Sequence, residues 1–315
     1  IIADEEMVVS ITRDGYIKRT PVSIYQAQHR GGRGKTAMST KVEDFVEKLF
    51  VASTHDTMLF FTSMGFAYAL KVYEIPEASR ISRGTAIVNL LQLRKKDSVA
   101  STITTREFPD DKSVFFATKN GYVKRTRLSA FSNTRKKGII AIKLPDDDQL
   151  IDCNLIAGME DIMLVTRKGI SIRFPSKQVR IMGRNTRGLI GIRLKEDDSV
   201  ISMTVITRPE GVILFASENG FGKRTKTEEF RVQKRSGKGI IAMKTTKKTG
   251  KVIGSMEVEE DDEIVLVNSD GVLIRIKVSD ISIIGRATQG VKLIRLKDEQ
   301  ILTGIAKVIE KDEKN

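Results

Sequence analysis

Short apolar runs and polar turns alternate along this chain in a unit that recurs six times. Each unit opens with an apolar run, such as Met7–Thr12 or Val114–Thr118, and continues through a polar turn that ends in glycine. A second glycine follows 17 or 19 residues later, and successive second glycines lie 50, 54, 50, 51 and 51 residues apart. A period near 50 residues is typical of propeller blades and other stacked repeats. The first glycines are Gly15, Gly65, Gly121, Gly169, Gly220 and Gly271, and the second are Gly34, Gly84, Gly138, Gly188, Gly239 and Gly290.

Each repeat is predicted to contain four short strands. Asp-Gly and Asn-Gly turns between apolar runs indicate hairpins, because glycine adopts positive φ without a Cβ clash. A third strand follows the second glycine, as in Ile139–Leu144, and an acidic turn leads to a fourth, as in Leu150–Ala157. Four turn-bounded, β-branched strands make one blade. We therefore predict an all-β, six-bladed, propeller-like single domain, with repeats at approximately 1–54, 55–106, 107–158, 159–208, 209–260 and 261–310 and a tail at 311–315.

Two segments test whether strand positions can be counted from the second glycine of each repeat. Thr40 and Glu43 resemble a helical capping box, and the apolar residues that follow keep helical spacing. Val46, however, lies 12 residues after Gly34, as Leu150 lies 12 residues after Gly138. The repeat therefore predicts a strand over residues 46–52. In the second repeat, which departs from the register by about three residues, the fourth strand is expected to begin near Val99.

Several functional classes are disfavoured by composition. No stretch of 18 apolar residues exists, so no membrane span is expected. The single cysteine, Cys153, is expected to be a buried inert thiol in a reducing compartment. His29 and His55 are too few for a metal site without a carboxylate cluster, and no cofactor is predicted. Because the chain begins at Ile1, we expect it to be a piece of a longer protein.

The charge is strongly positive and periodic. Lys and Arg number 54 against 40 Asp and Glu, for a net charge of +14 and a pI near 9.7. Residues 112–144 and 162–195 each hold nine basic residues and no acidic one. Basic residues recur in the second strand and in the loop after it, so a ring would carry a cationic belt that suits a polyanion. Aromatic residues are only 6% of the chain, which favours phosphate contacts over base stacking and hence duplex DNA with little sequence preference.

The predicted DNA contacts are the basic residues of these two places in the repeats. Repeats 3 to 5 are expected to hold DNA more strongly than repeat 2, which lacks the Lys-Arg step, or repeat 6, which is acidic. The candidates are Lys18, Arg19, Arg30, Arg33, Lys35, Lys124, Arg125, Arg127, Arg135, Lys136, Lys137, Arg173, Arg180, Arg184, Arg187, Lys223, Arg224, Lys234, Arg235 and Lys238.

The sharpest local motif is Gln28-His29-Arg30-Gly31-Gly32-Arg33-Gly34. Glycines among arginines form a loop whose amides and guanidinium groups can approach a phosphate. A nucleotide P-loop requires glycine five residues before Gly34, where this chain has His29. A purely structural glycine turn remains the alternative interpretation.

These residues resemble a known family. The six repeats, the Gly15-to-Thr20 segment Gly-Tyr-Ile-Lys-Arg-Thr and the heptapeptide at 28–34 are similar to the C-terminal domain of the DNA gyrase A subunit. His29 stands where the family usually has arginine. The resemblance implies a β-pinwheel, a propeller-like disc in which neighbouring blades exchange a strand, and it identifies the heptapeptide as the family's signature box.

What the resemblance implies about function is DNA wrapping. The domain would bend duplex DNA around a basic rim without a catalytic site of its own, because the family's cleavage tyrosine and ATPase site lie elsewhere in the enzyme. Expected partners are the cleavage core of the same polypeptide and the separate ATPase subunit, in a bacterial cytoplasmic, nucleoid-associated heterotetramer. Three alternatives remain: the corresponding topoisomerase IV domain, a protein-interaction propeller, and a propeller enzyme with an axial site.

Overall fold

The computed structural model describes residues 1–24, 46–79 and 81–308 of the 315-residue chain. In these ranges the chain forms short antiparallel strands joined by turns and 3₁₀ helices. In chain order the strands are β1 (Glu6–Thr12), β2 (Tyr16–Pro21), β3 (Val46–Ser53), β4 (Thr57–Thr62), β5 (Phe66–Lys71), β6 (Thr85–Ala86), β7 (Val99–Thr105), β8 (Ser113–Thr118), β9 (Tyr122–Arg127), β10 (Ile139–Ile140), β11 (Leu150–Ile156), β12 (Asp161–Thr166), β13 (Ile170–Pro175), β14 (Leu189–Ile190), β15 (Val200–Ile206), β16 (Val212–Ser217), β17 (Phe221–Lys226), β18 (Ile240–Ile241), β19 (Val252–Val258), β20 (Glu263–Asn268), β21 (Leu273–Lys277), β22 (Val291–Lys292) and β23 (Leu302–Lys307). The 3₁₀ helices are Val72–Glu74, Ile87–Asn89, Leu128–Phe131, Ser176–Gln178, Thr227–Glu229 and Val278–Asp280.

Every four-stranded sheet borrows one strand from the following repeat. The sheet orders are β3-β1-β2-β6, β10-β5-β4-β7, β11-β8-β9-β14, β15-β12-β13-β18 and β19-β16-β17-β22. Within the described ranges the sixth sheet has three strands, β21-β20-β23. The borrowed strands β6, β10, β14, β18 and β22 each begin directly after a second glycine. The all-β, propeller-like fold is confirmed, and so is the strand exchange that the resemblance implied.

The predicted register is confirmed in both test segments. Residues 46–53 form β3, which pairs with β1, and β7 begins at Val99. The third strands are shorter than predicted. Where the sequence pattern indicated five or six residues, as at 139–144, only two form ladder pairs, because Ala141 and Ile142 both turn their amides to the carbonyl of Gly65.

In repeat 2 both glycines allow neighbouring blades to exchange a strand. Gly84 has φ +87°, and a Cβ there would lie 2.5 Å from the carbonyl oxygen of Ile17 in the preceding blade. Gly65 has φ +91°, and a Cβ there would lie 2.5 Å from the carbonyl oxygen of Ile142 in the following repeat. Only glycine combines positive φ with so close a backbone approach. The 50-residue glycine period therefore marks the points where one blade receives the strand of the next.

The apolar core lies between successive blades. In β4, Met58 and Phe60 belong to the cluster shared with the first blade, whereas Leu59 and Phe61 belong to the cluster shared with the third. Successive side chains of a strand point to opposite faces. A blade stacked on both faces therefore needs a continuous apolar run, and all six residues of β4 are buried.

The fourth strands surround the axis of the ring. β11 contacts both β7 and β15, and β19 contacts both β15 and β23. The Lys48 Nζ of β3 donates to Thr102 Oγ1 of β7 at 3.1 Å. The first and sixth repeats also meet, because a Cβ at Gly304 in β23 would lie 2.8 Å from the Arg13 guanidinium. The second strands, and outside them the borrowed strands, consequently lie on the outer side of the ring.

We expect Phe116→Ala to destabilise the domain by about 3–5 kcal/mol, the cost of removing a buried phenyl ring. Phe116 is fully buried, and its ring centroid lies 5.4 Å from that of Phe61 and 6.3 Å from that of Phe131. Urea unfolding followed by circular dichroism measures the loss. Phe116→Leu, which removes less of the buried volume, is the control and should cost clearly less. Equal losses in the two variants would contradict a close-packed layer between the blades.

Candidate nucleic-acid interface

The basic residues predicted to contact DNA differ in exposure according to their place in the repeat. Those in the loops before the second glycines are mostly exposed, whereas those inside the second strands are buried or partly covered; Arg127, at the end of β9, is exposed. The exposed candidates are Arg127, Arg135, Lys136, Lys137, Arg180, Lys234 and Lys238. The partly exposed candidates are Lys18, Arg19, Arg125, Arg173, Arg184, Arg187 and Arg235. The buried candidates are Lys124, Lys223 and Arg224.

The buried lysines correct the prediction for the second strand. Lys124 is 0% exposed, and its Nζ donates to the carbonyl oxygens of Ala141 at 2.6 Å, Thr186 at 3.2 Å and Arg184. Lys223 is also 0% exposed, and its Nζ donates to the carbonyl oxygens of Gly285 at 2.8 Å and Arg286 at 2.5 Å. An ammonium has three donors. These lysines therefore bind backbone carbonyls, mainly those of the following repeat, and do not reach a phosphate.

The arginine of the Lys-Arg step also turns toward the next repeat. Arg224 Nε donates to the carbonyl oxygen of Ile281 at 2.7 Å, and its side chain is 5% exposed. Arg19 Nε makes the same contact with the carbonyl oxygen of Ile75 at 2.5 Å. In both cases the acceptor directly follows the next repeat's 3₁₀ helix. Arg224 is thus a structural residue, and its assignment as a DNA contact is withdrawn.

Aromatic and threonine side chains complete this contact. The Arg187 guanidinium lies 3.7 Å from the ring centroid of Tyr122, and that of Arg83 lies 3.8 Å from the ring of Tyr16. Thr225 Oγ1 donates to the carbonyl oxygen of Ile284 at 3.0 Å. We call the aromatic-X-Lys-Arg-Thr segment that follows the first glycine in repeats 1, 3 and 5 the clamp. Each polar side chain of the clamp at residues 221–225 engages the next repeat, so the clamp joins blades.

Three repeat-equivalent arginines connect neighbouring borrowed strands. Arg184 Nη1 donates to the carbonyl oxygen of Ile140 at 2.9 Å, and Arg235 Nη1 donates to that of Ile190 at 2.6 Å. Arg286 repeats the contact with the carbonyl oxygen of Ile241 at 2.6 Å. All three side chains stay partly exposed. These contacts hold the guanidinium groups in place at the outer edge of successive blades.

A further row of cations was missed by the sequence prediction. The residue five positions after the second glycine is basic and exposed in four repeats. These residues are Lys143, Arg193, Lys244 and Arg295. The backbone N–H of Lys143 donates to the carbonyl oxygen of Thr186 at 3.0 Å, which places it beside the next repeat's basic loop. Aligning the repeats on their second glycines shows this row, because the five-residue offset is constant.

Burial perturbs the titration of the two clamp lysines. Desolvation, with a smaller contribution from the Arg184 charge, lowers the pKa of Lys124 from 10.5 to about 7. Desolvation likewise lowers the pKa of Lys223 to about 8, and the charge of Arg286 adds to this while Glu229 opposes it. The carbonyl acceptors oppose both shifts because they favour the ammonium form. Burial also raises the pKa of the Cys153 thiol, consistent with its predicted inert role.

The signature box at 28–34 and Lys35 lie outside the described residues. Their assignment as DNA contacts stays a prediction.

Features that would support the other functional classes are weak in the described ranges. One group of carboxylates, Glu259, Asp261 and Asp262, brings oxygen atoms within 4.8 Å of one another. Asp262 already accepts the Glu259 N–H at 2.7 Å and faces the Lys307 ammonium at 3.5 Å. Exposed carboxylates cluster in this way without an ion. The cluster therefore gives little support to an axial metalloenzyme.

The family is shown by comparison with known proteins. A family model described as the DNA gyrase C-terminal domain, beta-propeller, matches residues 6–53, 56–106, 112–157, 160–207, 211–259 and 262–309. The chain belongs to this family. It is 44% identical over 310 residues to the DNA gyrase A subunit of Salmonella typhimurium, covering 98% of the chain but only 35% of that protein. The chain thus spans about a third of the curated relatives it matches.

Two solved structures also match this gyrase-family chain. The C-terminal domain of DNA topoisomerase IV gives a TM-score of 0.87 at 28% identity, covering 98% of this chain and 94% of that one. A DNA gyrase A C-terminal domain gives 0.71 at 28% identity, covering 97% and 100%. The topoisomerase IV domain matches along nearly the whole chain. The number of blades therefore does not distinguish a gyrase domain from a topoisomerase IV domain in this case. No helix in the described part of the chain is long and apolar enough to cross a membrane.

The lowered pKa of Lys124 predicts a pH dependence of stability for this gyrase-family domain. In the unfolded chain the lysine keeps its proton up to about pH 10.4, whereas in the folded chain it loses it near pH 7. Above pH 7 the unfolded state therefore binds more protons, so stability rises with pH. We expect the unfolding free energy of the wild type, minus that of Lys124→Ile, to increase from pH 7 to pH 10. Urea titrations at four pH values measure this; a constant difference would contradict the shift.

Proposed function

We propose that this chain is the DNA-wrapping C-terminal domain of a gyrase A subunit. The supporting observation is the recurrence of exposed cations at the outer edge of successive blades, before the second glycines of repeats 2 to 5 and five residues after those of repeats 3 to 6. Phosphates bound by such cations release counterions, which supplies affinity without sequence preference. The remaining partners are the cleavage core of the same polypeptide and the separate ATPase subunit, in an ATP-dependent type II topoisomerase of the bacterial cytoplasm.

Wrapping needs many contacts because DNA is stiff. A smooth bend of 40–90° over 20–30 base pairs costs on the order of 1–6 kcal/mol. Weak phosphate contacts spread along an arc can offset this cost, as in the histone octamer. Exposed cations recur in the third, fourth and fifth repeats, at Lys143, Arg193 and Lys244 among others, which is the arrangement such an arc requires.

The test is a topology assay. Nicked circular plasmid is ligated in the presence of the 315-residue chain, and the linking number of the product is measured on a gel. We expect a change of linking number of one consistent sign, because wrapping fixes a handed path. Salt-insensitive binding, or a strong preference for one DNA sequence, would contradict the cationic rim. Absence of DNA binding and of any change of linking number would favour the protein-interaction propeller.

Removing the newly recognised row of cations should weaken binding. Lys143→Gln, Arg193→Gln and Lys244→Gln together should lower duplex affinity and reduce the slope of log affinity against log salt by about 0.9 for each lost phosphate contact. A matched control removes the same charge from turns that lead to the inner strands: Lys95→Gln, Lys96→Gln and Lys247→Gln. Fluorescence anisotropy across a salt series measures both. Equal losses would show that net charge alone, and not this row, governs binding.

The signature box is proposed to fasten the DNA path in the complete enzyme. Replacing Gln28–Gly34 by alanines should lower domain affinity modestly and abolish negative supercoiling, while relaxation by the catalytic core persists. Both activities are assayed on one mutant enzyme. Retained supercoiling would contradict this role, and a mutant domain that does not fold would support the structural turn. The same assay on the unaltered enzyme separates gyrase from topoisomerase IV, since the handed wrap is what permits negative supercoiling.

A further inference from the structure

The clamp lysine occurs in every second blade. Three residues after the first glycine, repeats 1, 3 and 5 have lysine, whereas repeats 2, 4 and 6 have tyrosine or isoleucine. These residues are Lys18, Lys124 and Lys223 in the odd repeats and Tyr68, Ile172 and Ile274 in the even ones. Because each side chain points at the following repeat, the basic loops of repeats 2, 4 and 6 receive an ammonium and the others do not.

The three lysines make equivalent contacts. Lys18 Nζ donates to the carbonyl oxygens of Ser79 at 3.1 Å and Ser82 at 2.8 Å, in the loop of repeat 2. Lys124 and Lys223 bind the corresponding carbonyls of repeats 4 and 6. Buried ammonium groups that are fully hydrogen-bonded hold their acceptors firmly.

The loops of repeats 3 and 5 rest on apolar or aromatic surface instead. A Cβ at Gly138 would lie 3.1 Å or less from three atoms of the Tyr68 ring, and a Cβ at Gly237 would lie 3.4 Å from Ile172 Cδ1. Such contacts are non-directional, and the carbonyl groups of these loops have no lysine ammonium at the equivalent position. All of these loops also make backbone hydrogen bonds to neighbouring repeats, as from the Arg193 N–H to the Gly237 carbonyl oxygen at 2.9 Å. The rim thus alternates between loops that additionally accept hydrogen bonds from an ammonium and loops that pack on Tyr68 or Ile172 at that position.

In repeat 4 the fixed loop carries the guanidinium groups. Lys124 draws the carbonyls of Arg184 and Thr186 inward, while Tyr122 supports the Arg187 guanidinium from below. With these carbonyl oxygens directed inward, the loop presents less negative potential to an approaching phosphate. A loop held in this form also avoids the cost of ordering on binding.

We propose that Lys124 and Lys223 are positioning residues that hold alternate rim loops in the shape that receives phosphates. This rests on the proposed function, binding of duplex DNA by the rim. Neither lysine touches DNA itself; each acts through the loop of the next repeat. Every second blade then offers a rim loop that an ammonium of the preceding blade holds in place.

The experiment uses Lys124→Ile in the 315-residue chain. Isoleucine occupies the equivalent position at Ile172, so the fold has a natural precedent for it. Lys119→Ile, at an exposed turn of the same repeat, is the control with the same loss of charge. Duplex affinity is measured at pH 6.5 over a salt series, below the pKa of about 7 of Lys124, so that its ammonium is largely protonated.

We expect Lys124→Ile to weaken binding about tenfold, the scale of ordering one or two side chains on association. The salt slope should stay unchanged, because the same arginines still neutralise the same phosphates. Lys119→Ile should bind within about twofold of the wild type. Hydrogen exchange at the Lys143 amide, which donates to Thr186, should accelerate in Lys124→Ile only.

A double-mutant cycle with Arg187→Gln separates positioning from plain stabilisation. Arg187→Gln should reduce affinity in the wild type and clearly less in Lys124→Ile, because the loop is already loosened there. Unchanged affinity in Lys124→Ile, or strictly additive effects, would overturn the inference. If the slope of log affinity against log salt were reduced by about 0.9 in Lys124→Ile, a direct contact of Lys124 with a phosphate would be indicated, and the inference would also be overturned.

Two further outcomes are a Lys124→Ile variant that does not fold and a wild-type chain that does not bind DNA. If Lys124→Ile does not fold, Lys124→Met provides the unbranched replacement, and failure of both would overturn a positioning role in favour of a purely structural one. If the wild-type chain binds no duplex DNA, the proposed function fails first, and the inference fails with it.

Discussion

In the described residues, each of the first five blades of this domain depends on the next repeat to complete its hydrogen bonding. A sheet such as β8-β9 would present an unpaired edge, and the edge is satisfied by the short strand β14 from the next repeat. The exchange requires the backbones to meet closely, which is why glycine recurs at positions such as Gly65 and Gly84. The apolar clusters follow the same rule, because each forms between two blades and none within a single blade. The contacts that stabilise each blade are therefore also the contacts that hold the blades together in the ring.

This dependence also determines where positive charge is available. The side chains best placed to hold a borrowed strand are those of the second strand, which lies beside it. Lys124, Lys223 and Arg224 are used in this way, and their donors are directed at backbone carbonyls. Charge meant for a polyanion must lie farther out, in the loops and just after the borrowed strands. The domain therefore has an inner set of cations that join the blades and an outer, exposed set that is available to a polyanion.

The two sets are coupled through shared atoms. The Thr186 carbonyl accepts both the buried Lys124 ammonium and the N–H of Lys143, whose side chain is exposed. Arg184 approaches Lys124 through its carbonyl and the preceding borrowed strand through its guanidinium. Contacts of this kind link the packing of the blades to the arrangement of charge on the rim. A fold built by exchange can in this way present regularly placed cations on a rigid support.

The sequence by itself determined the repeat, the strand positions and the all-β class, because the period of glycines and the alternation of apolar runs are local properties of the chain. The sequence also predicted a strand over residues 46–52, where local helical spacing indicated otherwise, and the structure has β3 there (Val46–Ser53). Only the tertiary structure decided which cations are available. Lys124 and Lys137 look alike in sequence, yet one is buried under the next repeat and the other is exposed. The difference arises because burial depends on a partner about 60 residues away, as in the contact of Lys124 with Thr186, and a local pattern carries no information about that partner.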